Sequence, residues 1–111
     1  MRLLDGAGQF TSPEPGQNRH WIEHLRSADL SVGTYSVPLS GQDDQRPHTE
    51  DEVYVVVSGR ADLQTADEKV AVGPGSVVFV PAGEEHRFVN LTEPLTVLVV
   101  FAPAEGSRPA A

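Results

Sequence analysis

The chain has no cysteine among its 111 residues. That excludes disulfides, thiolate metal ligands and a cysteine nucleophile together. Positive charge is scarce: 8 Lys and Arg stand against 16 Asp and Glu, for a formal net charge of −8. No basic cluster offsets this locally, so nucleic acid is not an expected partner, and the acidity reads as a solubility feature. Long apolar runs are missing too. The longest, Val97 to Ala102, is strand-sized and far below the roughly 18 residues a membrane-crossing segment needs. The opening MRLLDGAGQF has neither the apolar stretch nor the small-residue cleavage site of a secretory leader, so the cytoplasm is the expected location, with no membrane partner. Helical periodicity is hard to place anywhere. The best candidate, Gln64 to Lys69, is too short and reads better as a hairpin turn at Ala66-Asp67-Glu68.

What is present is a strand pattern. Hydrophobic residues make up 39% of the chain and fall in short, valine-rich clusters, enough to build one core without cross-links. Alternation and turn residues predict strands at His20 to Arg26, Leu30 to Val37, Glu52 to Val57, Ala61 to Thr65, Lys69 to Val72, Ser76 to Val80, His86 to Asn90 and Leu95 to Phe101. Between them, Ser58-Gly59, Gly73-Pro74-Gly75 and Pro81-Ala82-Gly83 supply positive-φ positions and remove backbone donors. The Gly-, Pro- and Ser-rich ends predict a flexible arm over residues 1–19 and a flexible tail over 104–111, flanking one all-β, antiparallel domain at 20–103. In the last strand Leu95, Val97, Val99 and Phe101 face one way and Leu98 and Val100 the other. A strand apolar on both sides wants a second sheet or a second subunit, and a homodimer is expected.

The ionisable residues are unevenly spread. His48, Glu50, Asp51 and Glu52 precede the most apolar central strand, and His86 follows the Pro-Ala-Gly turn. His48, Glu50 and Glu52 share parity and would project to one side of an extended chain, where a histidine from another strand could join them. Two imidazoles and a carboxylate suit a divalent ion with open positions: Fe, Mn, Ni, Co or Zn. The same residues would also serve as a solvated acidic loop with two turn-capping histidines, and spacing alone does not separate the two readings. Tyr54 has the parity of Glu52. His24, on one face with Ile22, reads as hydrogen-bonded packing, Glu84 and Glu85 as solvent-facing carboxylates, and Phe79, Phe88 and Phe101 as core.

Gly75-SVVFV-Pro81-Ala82-Gly83-EE-His86-RFV-Asn90 matches every defined position of the second motif of the cupin superfamily, G(X)5PXG(X)2H(X)3N, which the chain therefore resembles. The first motif, G(X)5HXH(X)3-4E(X)6G, is matched in part: His48, Glu52 and Gly59 fit its end. Arg46 stands where its first histidine belongs, and Gly41 lies about one residue from the motif glycine. The resemblance covers about Leu30 to Phe101. It implies a double-stranded β-helix, or jelly-roll barrel, with a divalent metal inside held by His48, Glu52 and His86. A fixed cation roughly 4 Å from the ion would cost about 4 kcal/mol per unit of metal charge at an effective dielectric near 20, so Arg46 is expected to point away or to pair with an acid or a substrate anion. Glu50, Gln45, His24 or water are the candidates to replace the missing ligand. The function implied is a metal-dependent enzyme on a small polar or aromatic metabolite, dioxygenase-like or isomerase-like. Arg46 or Tyr54 would orient the substrate, and Glu50 would be the nearest base. The alternative is a non-catalytic module binding a small ligand, with or without metal.

Overall fold

Short strand-forming segments, most of them containing valine, alternate with turns and loops between residues 20 and 102, and each becomes a strand. The computed structural model describes residues 1–109. It contains β1 (His20–Arg26), β2 (Ser31–Val37), β3 (Asp51–Ser58), β4 (Ala61–Thr65), β5 (Lys69–Val72), β6 (Val77–Val80), β7 (His86–Val89) and β8 (Leu95–Ala102). Among the described residues there is no helix long and apolar enough to cross a membrane. All eight expected strands are present, with ends differing by no more than one residue. A backbone hydrogen bond from Thr65 N to Glu68 O closes the β4–β5 turn where a short helix was the alternative.

The strands form two antiparallel sheets, one ordered β1-β2-β8-β3-β6 and the other β5-β4-β7. Their inner faces bury one apolar core. Tyr35 and Val37 of β2, Tyr54 and Val56 of β3 and the four alternate residues of β8 (Leu95, Val97, Val99, Phe101) meet Leu63 of β4 and Phe88 of β7. Gly59, at φ 90°, turns β3 into β4; a Cβ there would lie 2.1 Å from Pro94 O, so both the conformation and the space demand glycine.

On the outer face of the larger sheet, register aligns Val32, Val100, Val53 and Phe79 in one row and Leu98, Val55 and Val77 in the next. Phe79 is 61% exposed and Val77 67%. This corrects the expectation that Phe79 is core: Val80 faces inward and, by alternation, Phe79 does not. The expected N-terminal arm lies against this face, where Gly8 N donates to Thr34 Oγ1 at 2.9 Å and Thr11 N to Ser36 Oγ at 3.1 Å.

One glycine shapes the interior. A Cβ on Gly33 would lie 2.2 Å from the Trp21 ring and 2.7 Å from Ile22 O, so the indole lies flat over β2 only because the side chain is absent. Trp21 then meets Phe101 edge-on, with centroids 6.1 Å apart. Gly33→Ala is expected to lower stability by about 1–3 kcal/mol in denaturant melts and to shift the emission of Trp21, the chain's single tryptophan. An unchanged midpoint and unchanged emission would contradict this packing.

Candidate metal centre

Side chains alternate along β3, so Glu52, Tyr54 and Val56 all turn into the space between the sheets. Glu52 reaches a level where β7 begins, and the Pro81-Ala82-Gly83 turn delivers His86 there. Gly83 N also donates to His48 O at 2.8 Å, tying the loop that carries His48 to the turn that carries His86. One donor atom from each of His48, Glu52 and His86 lies within 4.8 Å of the others. The resemblance implied these three ligands, and the structure brings them together.

Each donor has an orienting partner. His86 Nδ1 faces Glu84 O at 2.8 Å, which leaves Nε2 for the interior, 2.9 Å from Glu52 Oε1 and 2.8 Å from the Tyr54 hydroxyl. His48 Nδ1 faces Glu105 Oε2 at 3.5 Å, and its Nε2 faces Gln45 Oε1 at 3.2 Å. Fixing the outer nitrogen against an oxygen so that the inner one is free is how proteins orient a ligating imidazole. Glu52 Oε2 is buried with no hydrogen-bond partner among the described residues. Leaving such an oxygen unpaired costs about 1–3 kcal/mol or more, and a cation would relieve it. The donor set therefore fits a divalent ion.

Burial lowers the pKa of His86, but the Glu52 carboxylate and the Glu84 carbonyl outweigh it and hold the imidazole above its ordinary value. Burial, reinforced by Glu52 and Asp43, pushes the Tyr54 phenol well up, so it stays protonated. Beyond these groups lies a cavity of about 100 Å³, lined among others by Arg19, Trp21, Tyr35, Phe101 and Glu105. Arg19 sits at its edge, paired with Asp44 at 2.8 Å and 5.8 Å above the Tyr35 ring.

Three expected contributors lie elsewhere. Glu50 does not share the side of His48 and Glu52, because the chain bends at Thr49 and Glu50 and β3 starts only at Asp51. Its carboxylate is buried but accepts the backbone N–H groups of Gly106 at 2.8 Å and Arg108 at 3.0 Å, and the Thr49 hydroxyl. Glu50 is therefore an anchor for residues 104–108 and not a base in the cavity. The anchored segment carries Glu105 to His48. Arg46 is exposed and is not among the residues lining the cavity. His24 Nε2 pairs with Thr34 Oγ1 at 2.7 Å under the N-terminal arm, so it is not a ligand.

The sequence reading missed Asp43, Glu105 and Arg19. Asp43 is 5% exposed and accepts four hydrogen bonds, from Tyr35 Oη (2.6 Å), Gln45 N (3.3 Å), Gln45 Nε2 (2.8 Å) and Phe88 N (2.7 Å). A carboxylate among Gly, Ser and Gln in a loop gives no local sign of that role.

The raised His86 pKa gives a signed expectation. In chelator-treated protein the imidazolium–carboxylate pair contributes fully below the unfolded value of about 6.5 and is lost as pH rises through the raised folded value. Divalent-ion affinity should run the opposite way, rising as that proton leaves. Urea melts and metal titrations across this window check both slopes. A chelator-treated profile that is flat there contradicts the pairing.

Comparison with known proteins agrees with this architecture. The family model described as "Cupin domain" matches residues 33–101. An uncharacterized protein of Streptomyces coelicolor, SCO3923, is 48% identical over 85 residues, covering 77% of this chain and 81% of the relative. Among solved structures, an RmlC-like cupin from Shewanella frigidimarina superposes with TM-score 0.72 at 18% identity, covering 86% of each chain. The DMSP lyase DddQ from Ruegeria pomeroyi superposes with TM-score 0.73 at 19% identity over 100% of this chain and 57% of that one. At these identities the structural likeness shows the fold alone. With a family match over most of the two sheets, and the histidines and carboxylate of both motifs facing one interior point, the chain belongs to the cupin family.

Proposed function

We propose that the chain is a small metal-dependent cupin enzyme acting on a small polar or aromatic metabolite, with His48, Glu52 and His86 as the ligands of a divalent ion. The observation that carries this reading is the buried Glu52 Oε2, unpartnered among the described residues, in a site with two imidazoles whose outer nitrogens are already engaged. An ion there supplies Lewis-acid polarisation of a substrate oxygen or a site for dioxygen chemistry.

The rest of the site supplies binding and proton control. A cavity of about 100 Å³ admits only a small molecule, and the rings of Trp21, Tyr35 and Phe101 favour a planar or apolar portion. Arg19 at the edge is the cation available to a substrate anion, the part first expected of Arg46. Tyr54 holds a proton at its hydroxyl beside Gln45 Oε1 and His86 Nε2, which makes it the proton donor nearest the reacting groups. A DMSP lyase among the proteins of similar fold is consistent with an enzyme in this scaffold.

One observation favours a non-catalytic ligand-binding module instead. Glu52, His86, Tyr54, Gln45 and His48 already form a continuous hydrogen-bonded chain around the site. Metal analysis of protein purified without chelator separates the readings. Near one equivalent of Fe, Mn, Co, Ni or Zn per chain is expected, falling at least about tenfold in His86→Ala. Equally negligible metal in both proteins sinks the enzyme reading. Bound metal without oxygen uptake or turnover on catechols, diketones and thiols favours the binder.

A homodimer through the outer face of the larger sheet is part of the same proposal. It is supported by the aligned apolar rows that end in exposed Val77 and Phe79. Sedimentation should give a dimer that Phe79→Lys converts to monomer. A wild-type monomer at high micromolar concentration would rule the dimer out.

A further inference from the structure

The proposed ligand set is one donor short of what the family's first motif supplies, because Arg46 occupies the position of its first histidine and faces solvent. The residue before it does not. Gln45 is half-buried and lines the cavity, and its Oε1 lies 3.2 Å from His48 Nε2 and 3.2 Å from the Tyr54 hydroxyl, which in turn is 2.8 Å from His86 Nε2. The amide oxygen thus touches one proposed ligand nitrogen directly and is one hydroxyl removed from another, and Gln45 lines the same cavity as Glu52.

Which end of the amide faces inward is fixed by chemistry. Gln45 Nε2 lies 2.8 Å from Asp43 Oδ2. A flipped amide would set a carbonyl oxygen against a carboxylate oxygen, acceptor against acceptor, and would aim two N–H donors at the site. Asp43 cannot turn away to permit this, since Tyr35 Oη and Phe88 N hold its two oxygens and the backbone N–H of Gln45 closes a local turn on it. The buried carboxylate therefore holds the amide nitrogen outward and the oxygen inward, and the bond to a charged acceptor polarises that oxygen toward a stronger donor.

We infer that Gln45 Oε1 is the fourth protein ligand of the divalent ion, replacing the motif histidine from a position one residue earlier, with Asp43 as its positioning residue. This rests on the metal reading above. The shift of one residue explains how an arginine is tolerated in the motif: the inward place is taken by Gln45, which leaves Arg46 on the solvent side, where its charge is screened. The resulting set is two imidazoles, one carboxylate and one neutral amide oxygen, which keeps the net charge of a divalent centre at about +1 and retains open positions on a six-coordinate ion.

The experiment is Co(II) binding to the 111-residue chain, with affinity measured by competition against a chromophoric chelator and donor set read from the visible absorption spectrum. Wild type, Gln45→Leu, Gln45→Ala, Tyr54→Phe and His86→Ala are compared, and thermal melts in chelator verify folding. Expected is binding by wild type, at least about tenfold weaker binding by both Gln45 variants with an altered spectrum, and a Tyr54→Phe spectrum like wild type. Wild-type affinity and spectrum in the Gln45 variants would overturn the inference and leave the three-ligand centre standing. Weaker binding with an unchanged spectrum would overturn it too, by making Gln45 a partner of His48 rather than a donor. Failure of the wild type itself to bind Co(II) would remove the metal reading and this inference together.

Discussion

A carboxylate sealed between two sheets is the constraint around which this molecule is organised. The side chains of Glu52 and His86 are each 1% exposed, and their charged atoms meet at 2.9 Å. Desolvating an ion pair costs several kcal/mol per ion, and the pair offsets this only when its other polar atoms are also satisfied. Here they are not: Glu52 Oε2 has no partner among the described residues. Aliphatic residues of similar volume would pack such an interior at lower cost. The arrangement fits the cation site proposed above.

Around that pair, every nearby polar contact either orients a donor or holds a loop that carries one. Glu84 O fixes His86, Glu105 faces His48, and Asp43 fixes Gln45 and Tyr35. Glu50 belongs to the same scheme at one remove. Its two bonds to the backbone of Gly106 and Arg108 keep residues 104–108 against the sheets and so bring Glu105 to the cavity. The chain thus uses four carboxylates, those of Glu52, Glu105, Asp43 and Glu50, and each has a different task because each has different partners.

Much of this was legible in the sequence. Strand positions were, because valine alternation and the Gly and Pro turns act over a few residues. Glu52, His86 and His48 were found through motif spacing, and Gln45 was among the alternatives for the missing ligand. What failed depended on contacts far along the chain or on a break in a local rule. Parity joined Glu50 to Glu52, but parity holds only for extended chain, and the bend at Thr49 and Glu50 reverses it. Asp43 acquires its importance from Phe88, 45 residues away, and Glu50 from Gly106, 56 residues away. Phe79 was misassigned because β6 reads Val-Val-Phe-Val, apolar on both faces, so composition cannot say which face is buried.

Conversion of this centre into an activity depends on what reaches it. The cavity is small, aromatic on its walls and lined by one arginine, Arg19, and two carboxylates, Glu52 and Glu105. Under the proposed function, that combination would select by size and by a planar or anionic group before any chemistry begins. The most direct measurement of the central claim is an anomalous difference map from crystals grown with Mn(II) or Co(II). A single strong peak within bonding distance of His48 Nε2, Glu52 and His86 Nε2 is expected. A fully ordered site with no peak there, and with the Glu52–His86 pair closed as before, would contradict it.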